Sequence, residues 1–381
     1  MNIDALRGIV MVVMALDHTR DFFSNTAVQF DPMDLARTTP ALFLTRWITH
    51  FCAPVFVFLA GVGAALSLDR GRDPRSLAGF LVVRGLWLIL LEVFVISPLG
   101  WSFRLDLSFT RLQVIWVIGM GMVVMGAMVR WASPRIFGLI GLGMICLHNL
   151  GDGVRTGWWA YLHQVSFFKV GNGMTFASLY PVIPWIGVMM LGYAAADFLR
   201  LKDVRRRKTL LWGGLGITIG FVVLRMSNLY GDPSQWSSQA DSVRTAMSFL
   251  RVNKYPPSLL YLLMTLGPAI LWLGWSENFR GKAMQSIARL GQVPLFFYLV
   301  HLPLLHGAAV LASYWTYGEA SWLLRDQLTL RSAQVHLPAH YGYDLPIVYL
   351  VWMISLIALW PCCVWYGKFR KTRQEWIFRF L

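Results

Sequence analysis

Charge is scarce in this chain, and negative charge is scarcest. Its 381 residues hold 19 Asp and Glu against 34 Lys and Arg, and charged residues make up only 14%. With 56% hydrophobic residues and a mean hydropathy of +0.54, an ordinary soluble domain is excluded. No dense carboxylate cluster, HExxH or CxxC occurs, so no metal centre is expected. A P-loop, a Rossmann glycine fingerprint and a GxSxG elbow are missing too, which removes support for nucleotide or serine hydrolysis. The four cysteines (Cys52, Cys146, Cys362, Cys363) sit inside apolar runs, where no disulfide framework forms. No small-residue cleavage pattern follows the first apolar run, which is therefore expected to stay on the chain.

What the chain has instead is apolar length. Runs able to cross a bilayer lie near residues 3–22, 46–68, 79–99, 112–130, 135–150, 176–199, 209–227, 257–275, 288–312 and 344–366. The linkers between them alternate in charge. Arg70, Arg72 and Arg75, then Arg130 and Arg135, Arg200 to Lys208, Arg280 and Lys282, and Lys368 to Arg379 fall on one side. Longer aromatic loops of mixed charge fall on the other. The positive-inside rule then gives an all-α polytopic transmembrane helix bundle of about ten spans, with both termini cytoplasmic. No linker is long enough for an independent core, so residues 1–381 are expected to form one integral-membrane domain. A net charge of +15 would suggest nucleic acid in a soluble protein. Here the basic residues mark topology and contact membrane lipid, and no nucleic-acid partner is expected.

Several polar residues interrupt the runs. Arg7 and His18 are eleven positions apart, which is about three helical turns plus 20°, so both lie on one face of the first span. The rise between them is about 16 Å, roughly half the hydrocarbon thickness. A charge within a membrane helix is costly unless it is partnered or faces a wet interior. Asp17 beside His18 suits general-base chemistry, although adjacent helical residues point about 100° apart. Asp17 has two other partners within reach, Arg20 at i+3 and Arg46 on the next helix. His50 comes early in the second span, at the depth of His18, on a stripe with Arg46, Pro54, Val57 and Gly61. Arg84 and Glu92 add polar groups to the third span, and His301 and His306 to the ninth. Physics alone leaves catalysis and interhelical hydrogen bonding both open for His18, His50 and His301. Trp158, Trp159, Tyr161, Trp236 and Tyr255 read either as an outer aromatic platform for sugar or as an interfacial belt.

The openings IDALRGIVMVVMALDH and RWITHFCAPVFVFLAGVG, with YPVIPWIGVMMLGY, NKYPPSLLYLLMTLGP, GQVPLFFYLVHLPLLH and YLVWMISLIALWPCCVWY, resemble the bacterial heparan-α-glucosaminide N-acetyltransferase-like membrane proteins. The Arg-x10-His spacing of Arg7 and His18 is similar to that of the wider transmembrane acyltransferase superfamily, which includes the acyltransferase-3 family. The resemblance implies transfer of an acetyl (acyl) group from cytoplasmic acetyl-CoA (acyl-CoA) to an extracytoplasmic glycan or amino-sugar. It also implies a multi-pass protein of the bacterial inner membrane, and a homodimer stays open. His18 takes the place of the superfamily's first-span histidine and Arg7 that of its paired arginine, with Asp17 and His50 as further catalytic candidates. Arg7, Arg84, Arg111 and Gln113 are expected on the CoA side. Arg46, Trp185, Lys254 and His301 are expected at the substrate or the oxyanion. The competing expectation is a transporter or flippase for a sugar or lipid-linked glycan.

Overall fold

The computed structural model describes residues 2–373, apart from residues 70, 72, 172, 327, 329–336 and 339, together with residue 375. Arg70, Arg72 and Arg379 of the basic linkers lie outside the described residues. In chain order come α1 (Ile3–Phe23), α2 (Pro40–Thr49), α3 (Cys52–Leu68), α4 (Pro74–Leu91) and a π-helix (Glu92–Ser102). Then follow β1 (Phe109–Leu112), α5 (Val114–Met128), α6 (Pro134–Leu147), α7 (Gly157–His163), β2 (Ser166–Val170) and β3 (Met174–Ser178). The rest is α8 (Val182–Leu199), α9 (Asp203–Ser227), α10 (Ser242–Leu250), α11 (Leu259–Trp275), α12 (Lys282–Gly291), α13 (Pro294–Tyr317) and α14 (Leu345–Lys371).

Among the described residues, seven helices are long and apolar enough to cross a membrane: Pro40–Leu68, Pro74–Ser102, α8, α9, Leu259–Asn278, α13 and α14. They make this a mostly helical protein built to cross a membrane several times. Large apolar side chains such as Trp212, Leu311 and Ile357 remain more than 70% exposed, as on helices that face lipid. α1 has 21 residues, about 32 Å of helix, but it holds Asp4, Arg7, Asp17, Arg20 and Asp21.

The chain divides into two compact units. The larger comprises Ala53–Glu92 and Arg111–Arg280 with the start of the chain; the smaller comprises Asp4–Cys52, Val93–Thr110 and Gly281–Leu381. The all-α expectation needs one addition, a three-stranded sheet in the order β1-β3-β2. β2 and β3 pair antiparallel, with Phe168 opposite Phe176 and their rings stacked 5.5 Å apart. Phe167, Phe168, Val170, Thr175 and Phe176 are residue types that favour strand, and Gly171 and Gly173 supply the positive φ angles (+58° and +119°) of the turn. The apolar run 176–199 is thus strand first and helix only from Val182.

In the smaller unit, proline and threonine chemistry sets the elements that matter. Thr39 caps α2, its hydroxyl accepting from the Leu42 N–H, with Pro40 in the first turn. The expected unbroken second span is two segments, α2 and α3, parted at His50 and Phe51. Pro54 has no N–H to offer the His50 carbonyl, which accounts for the break; His50, Pro54, Val57 and Gly61 of the predicted stripe are all buried. Pro98 does the same to the third span, which winds as a π-helix from Glu92 onward. Gly8 and Gly291 let α1 and α12 touch: a Cβ on Gly8 would overlap the Ile287 carbonyl, and one on Gly291 the Asp4 carbonyl. α14 is tied to α1 by Trp352 Nε1 donating to the Val12 carbonyl at 2.9 Å. A 2.6 Å hydroxyl contact between Thr45 and Tyr349 ties it to α2.

Candidate functional site

His18 is buried on α1 with its Nδ1 2.8 Å from Nε2 of His301 on α13. The two rings stack at 5.0 Å and 21°. Trp101, from the π-helix, meets the His18 ring edge-on at 5.3 Å, and Tyr298 stands 6.4 Å away, one helical turn before His301. All four residues lie in the smaller unit and are at most 8% exposed.

Hydrogen-bond chemistry fixes the neutral pair's protons. His301 Nδ1 lies 2.9 Å from the Phe297 carbonyl and 3.0 Å from that of Tyr298. Carbonyl oxygens only accept, so Nδ1 holds the proton and His301 Nε2 presents a lone pair. His18 Nδ1 must then donate to it. The remaining ring nitrogen, His18 Nε2, is left with a basic lone pair. The assignment follows from the acceptors around the rings.

Next to this dyad, Arg46 Nη1 donates to both oxygens of Asp17, at 2.7 and 2.6 Å. Arg20 donates to Asp17 at 2.9 Å and to Asp21 at 2.6 Å. Two carboxylates thus balance two guanidiniums in a cluster whose side chains are no more than 25% exposed. Such pairing is what permits charge away from water. Both alternative partners foreseen for Asp17 are therefore engaged at once. His50 is 1% exposed and ends α2, its N–H bonded to the Trp47 carbonyl at 3.1 Å. Arg7 is held by Asp4 at 2.7 Å and by the Gly291 carbonyl at 3.3 Å, near the α12 end of α1.

The other expected residues belong to the larger unit. Arg84 lies over the Phe80 ring at 5.9 Å, and Lys254 over Tyr255 at 5.3 Å. Trp185 is fully buried beside Tyr180 and Tyr261. Arg111 is buried on β1, and Gln113 precedes the first turn of α5. Glu92, fully buried, accepts from the Trp116 N–H of that same turn at 3.1 Å. The imagined aromatic platform does not form as one surface. Trp158 and Tyr161 are exposed together, Trp159 stacks on His163, Trp236 packs on Phe249, and Tyr255 meets Tyr180.

Sequence reasoning missed Trp101 and Tyr298; it expected His301 at the substrate or the oxyanion but did not foresee its contact with His18. His306 also gains a structural setting: its ring lies between Phe22 (4.8 Å) and Phe103 (4.1 Å), facing the Gly100 and Leu323 carbonyls.

A family model described as Heparan-alpha-glucosaminide N-acetyltransferase, catalytic, matches residues 1–224. That stretch holds Asp17, His18, Arg46 and His50, while His301 lies beyond it. No individual curated protein matches the chain.

Proposed function

Because the chain belongs to the heparan-alpha-glucosaminide N-acetyltransferase family, we propose that it transfers acetyl from cytoplasmic acetyl-CoA to an extracytoplasmic glycan, at the amine of a terminal amino-sugar, across the bacterial inner membrane. The observation that carries this reading is the buried His18–His301 contact at 2.8 Å, which leaves the lone pair of the dyad on His18 Nε2. As the acceptor amine attacks the thioester carbonyl, His18 Nε2 takes its proton; the new C–N bond forms and the C–S bond breaks. The proton passes to the departing thiolate, so the products are the N-acetyl sugar and CoA thiol. The same lone pair also suits a two-step path through acetyl-histidine, which labelled acetyl retained on the protein in the absence of acceptor would reveal. Trp101 and Tyr298 wall the ring, and the charge-balanced cluster of Asp17, Arg20, Arg46 and Asp21 supplies a polar flank without net charge.

Arg7, Arg84, Arg111 and Gln113 are proposed to contribute to acetyl-CoA binding, and Arg46, Trp185 and Lys254 to acceptor binding or oxyanion stabilisation, with His50 a further catalytic candidate. Single substitutions separate these roles, the first group raising KM for acetyl-CoA and the second KM for the saccharide or kcat. The direct test is proteoliposomes given radiolabelled acetyl-CoA outside and a glucosaminide oligosaccharide inside, or the reverse. Label should enter the saccharide with wild-type protein and not with His18→Ala. Equal labelling by the two proteins would remove His18 from the chemistry.

A further inference from the structure

A second histidine pair stands in the larger unit. His148 opens the short turn (His148–Gly151) after α6, and His163 closes α7. His148 Nδ1 lies 2.9 Å from His163 Nε2, and that nitrogen lies 3.5 Å from Asp152 Oδ1. One ligand atom from each of the three residues falls within 4.8 Å of the others. The histidines are 3% and 0% exposed, whereas Asp152 is partly open. The surroundings hold each group in place. Asn149 Nδ2 donates to Asp152 Oδ2 at 2.9 Å, and its own Oδ1 accepts from the Leu259 N–H. Gln164 places its amide 3.1 Å from His163 Nδ1, and Trp159 stacks on the His163 ring at 4.9 Å.

Hydrogen bonds alone leave this cluster incomplete. Asp152 Oδ1 is buried with no hydrogen-bond partner. One proton fits between the two facing ring nitrogens, so a ring atom or the carboxylate stays unmet whichever tautomers are drawn. A divalent cation needs no proton there; it takes lone pairs from both imidazoles and the carboxylate together. Ligand atoms each about 2.0–2.2 Å from one metal stand about 2.9–3.5 Å apart at right-angled to tetrahedral geometry. The separations of 2.9 and 3.5 Å fall in that range.

We infer that His148, Asp152 and His163 form a binding site for a zinc-like divalent transition-metal cation, which clamps α7 to the end of α6. Two imidazoles and one carboxylate suit zinc better than calcium or magnesium, which demand more oxygen ligands. The remaining position is filled by water from the Asp152 side, the only ligand with exposure. Asn149 and Gln164 act as outer partners, Gln164 turning its amide oxygen to the His163 Nδ1–H when the metal takes Nε2.

The full chain, purified in detergent without a histidine tag and stripped by chelator, is titrated with ZnCl2; bound zinc is counted after desalting. Co2+ substitution supplies an absorption spectrum sensitive to tetrahedral geometry. About one zinc per chain is expected, with a rise in thermal midpoint. His163→Gln and Asp152→Asn should each weaken zinc binding at least about 10- to 100-fold and abolish the midpoint rise. His18→Ala should leave zinc binding intact, which separates this site from the α1 dyad. Should those variants fail to fold, Gln164→Leu tests the same point through an outer partner, with about a 10-fold loss expected. Equal zinc in wild type and His163→Gln, no uptake by wild type, or loss only in His18→Ala would overturn the proposal.

Discussion

His301→Phe is the substitution that isolates the dyad. A phenyl ring keeps the stack with Phe297 (5.0 Å, 18°) and with His18 (5.0 Å, 21°); it removes the nitrogen lone pair facing His18 Nδ1, together with the Nδ1–H that meets the Phe297 and Tyr298 carbonyls within its own helix. His18 would then hold a buried N–H without that acceptor, and it would be cationic once it has taken the substrate proton. A hydrogen bond from a charged donor contributes about 1.5–3 kcal/mol, and each 1.36 kcal/mol is tenfold in rate, so kcat should fall about 10- to 150-fold. KM for acetyl-CoA should change little, because the lost interaction strengthens only as charge develops. His18→Ala removes the base itself and should cost about 10²–10⁴-fold. The assay is single-turnover release of CoA thiol by protein in lipid nanodiscs, with thermal midpoints recorded to exclude misfolding. If His301 works only through His18, the double variant matches His18→Ala. A His301→Phe protein with wild-type kcat, or a double variant in which the two losses multiply, would refute the dyad.

Asp17→Asn strips the carboxylate from under two guanidiniums and should lower stability by about 3–5 kcal/mol, read as a drop in thermal midpoint. Asp17→Leu combined with Arg46→Leu should recover part of that loss; no recovery would mean that the pair is not coupled. Gly291→Ala drives a methyl group into the Asp4 backbone and should abolish folded protein in membranes, whereas Gly281→Ala, with open space around it, should be silent. Trp101→Phe should keep most activity, and Trp101→Ala should cost about 3–5 kcal/mol of stability through the cavity left beside His18.

Much of the helical framework was readable because apolar runs long enough to span a bilayer have few other uses. The charge partners of Asp17 were readable too: Arg20 is one turn away in sequence, and Arg46 follows from two antiparallel spans at matching depth. The contact of His18 with His301 was not, since 282 residues intervene and no helical period says which spans adjoin. Trp101 was hidden for a different reason. Its direction depends on the wider winding that Pro98 imposes, and a 3.6-residue period misplaces every side chain after the change. The hairpin of β2 and β3 was hidden because β2 lies in a stretch read as a loop, and only the last residues of β3 fall in the apolar run 176–199; five-residue strands are too short for hydropathy averages to resolve.

That a histidine, and not Asp17, accepts from His18 makes physical sense in this setting. A carboxylate facing the imidazole would stabilise the imidazolium but would stand as a lone buried charge whenever the base is neutral. His301 costs far less in the resting state, since both rings are neutral and the Phe297 and Tyr298 carbonyls already meet its other nitrogen. When His18 gains the proton, the pair shares one positive charge across a 2.8 Å contact, and the carbonyls behind His301 face that charge with their negative ends. Asp17 is meanwhile saturated by Arg20 and Arg46, so the carboxylate on the same turn of α1 leaves the ring's tautomer to His301. Introducing a carboxylate at the dyad tests this division of labour. His301→Glu places an anion against His18, while Arg20 and Arg46 are already engaged by Asp17. It should lower the thermal midpoint more than His301→Gln does, even where it restores some kcat. Equal midpoints for the two variants would show that the bundle tolerates a bare carboxylate at this depth, and the reason given for a neutral dyad would then be wrong.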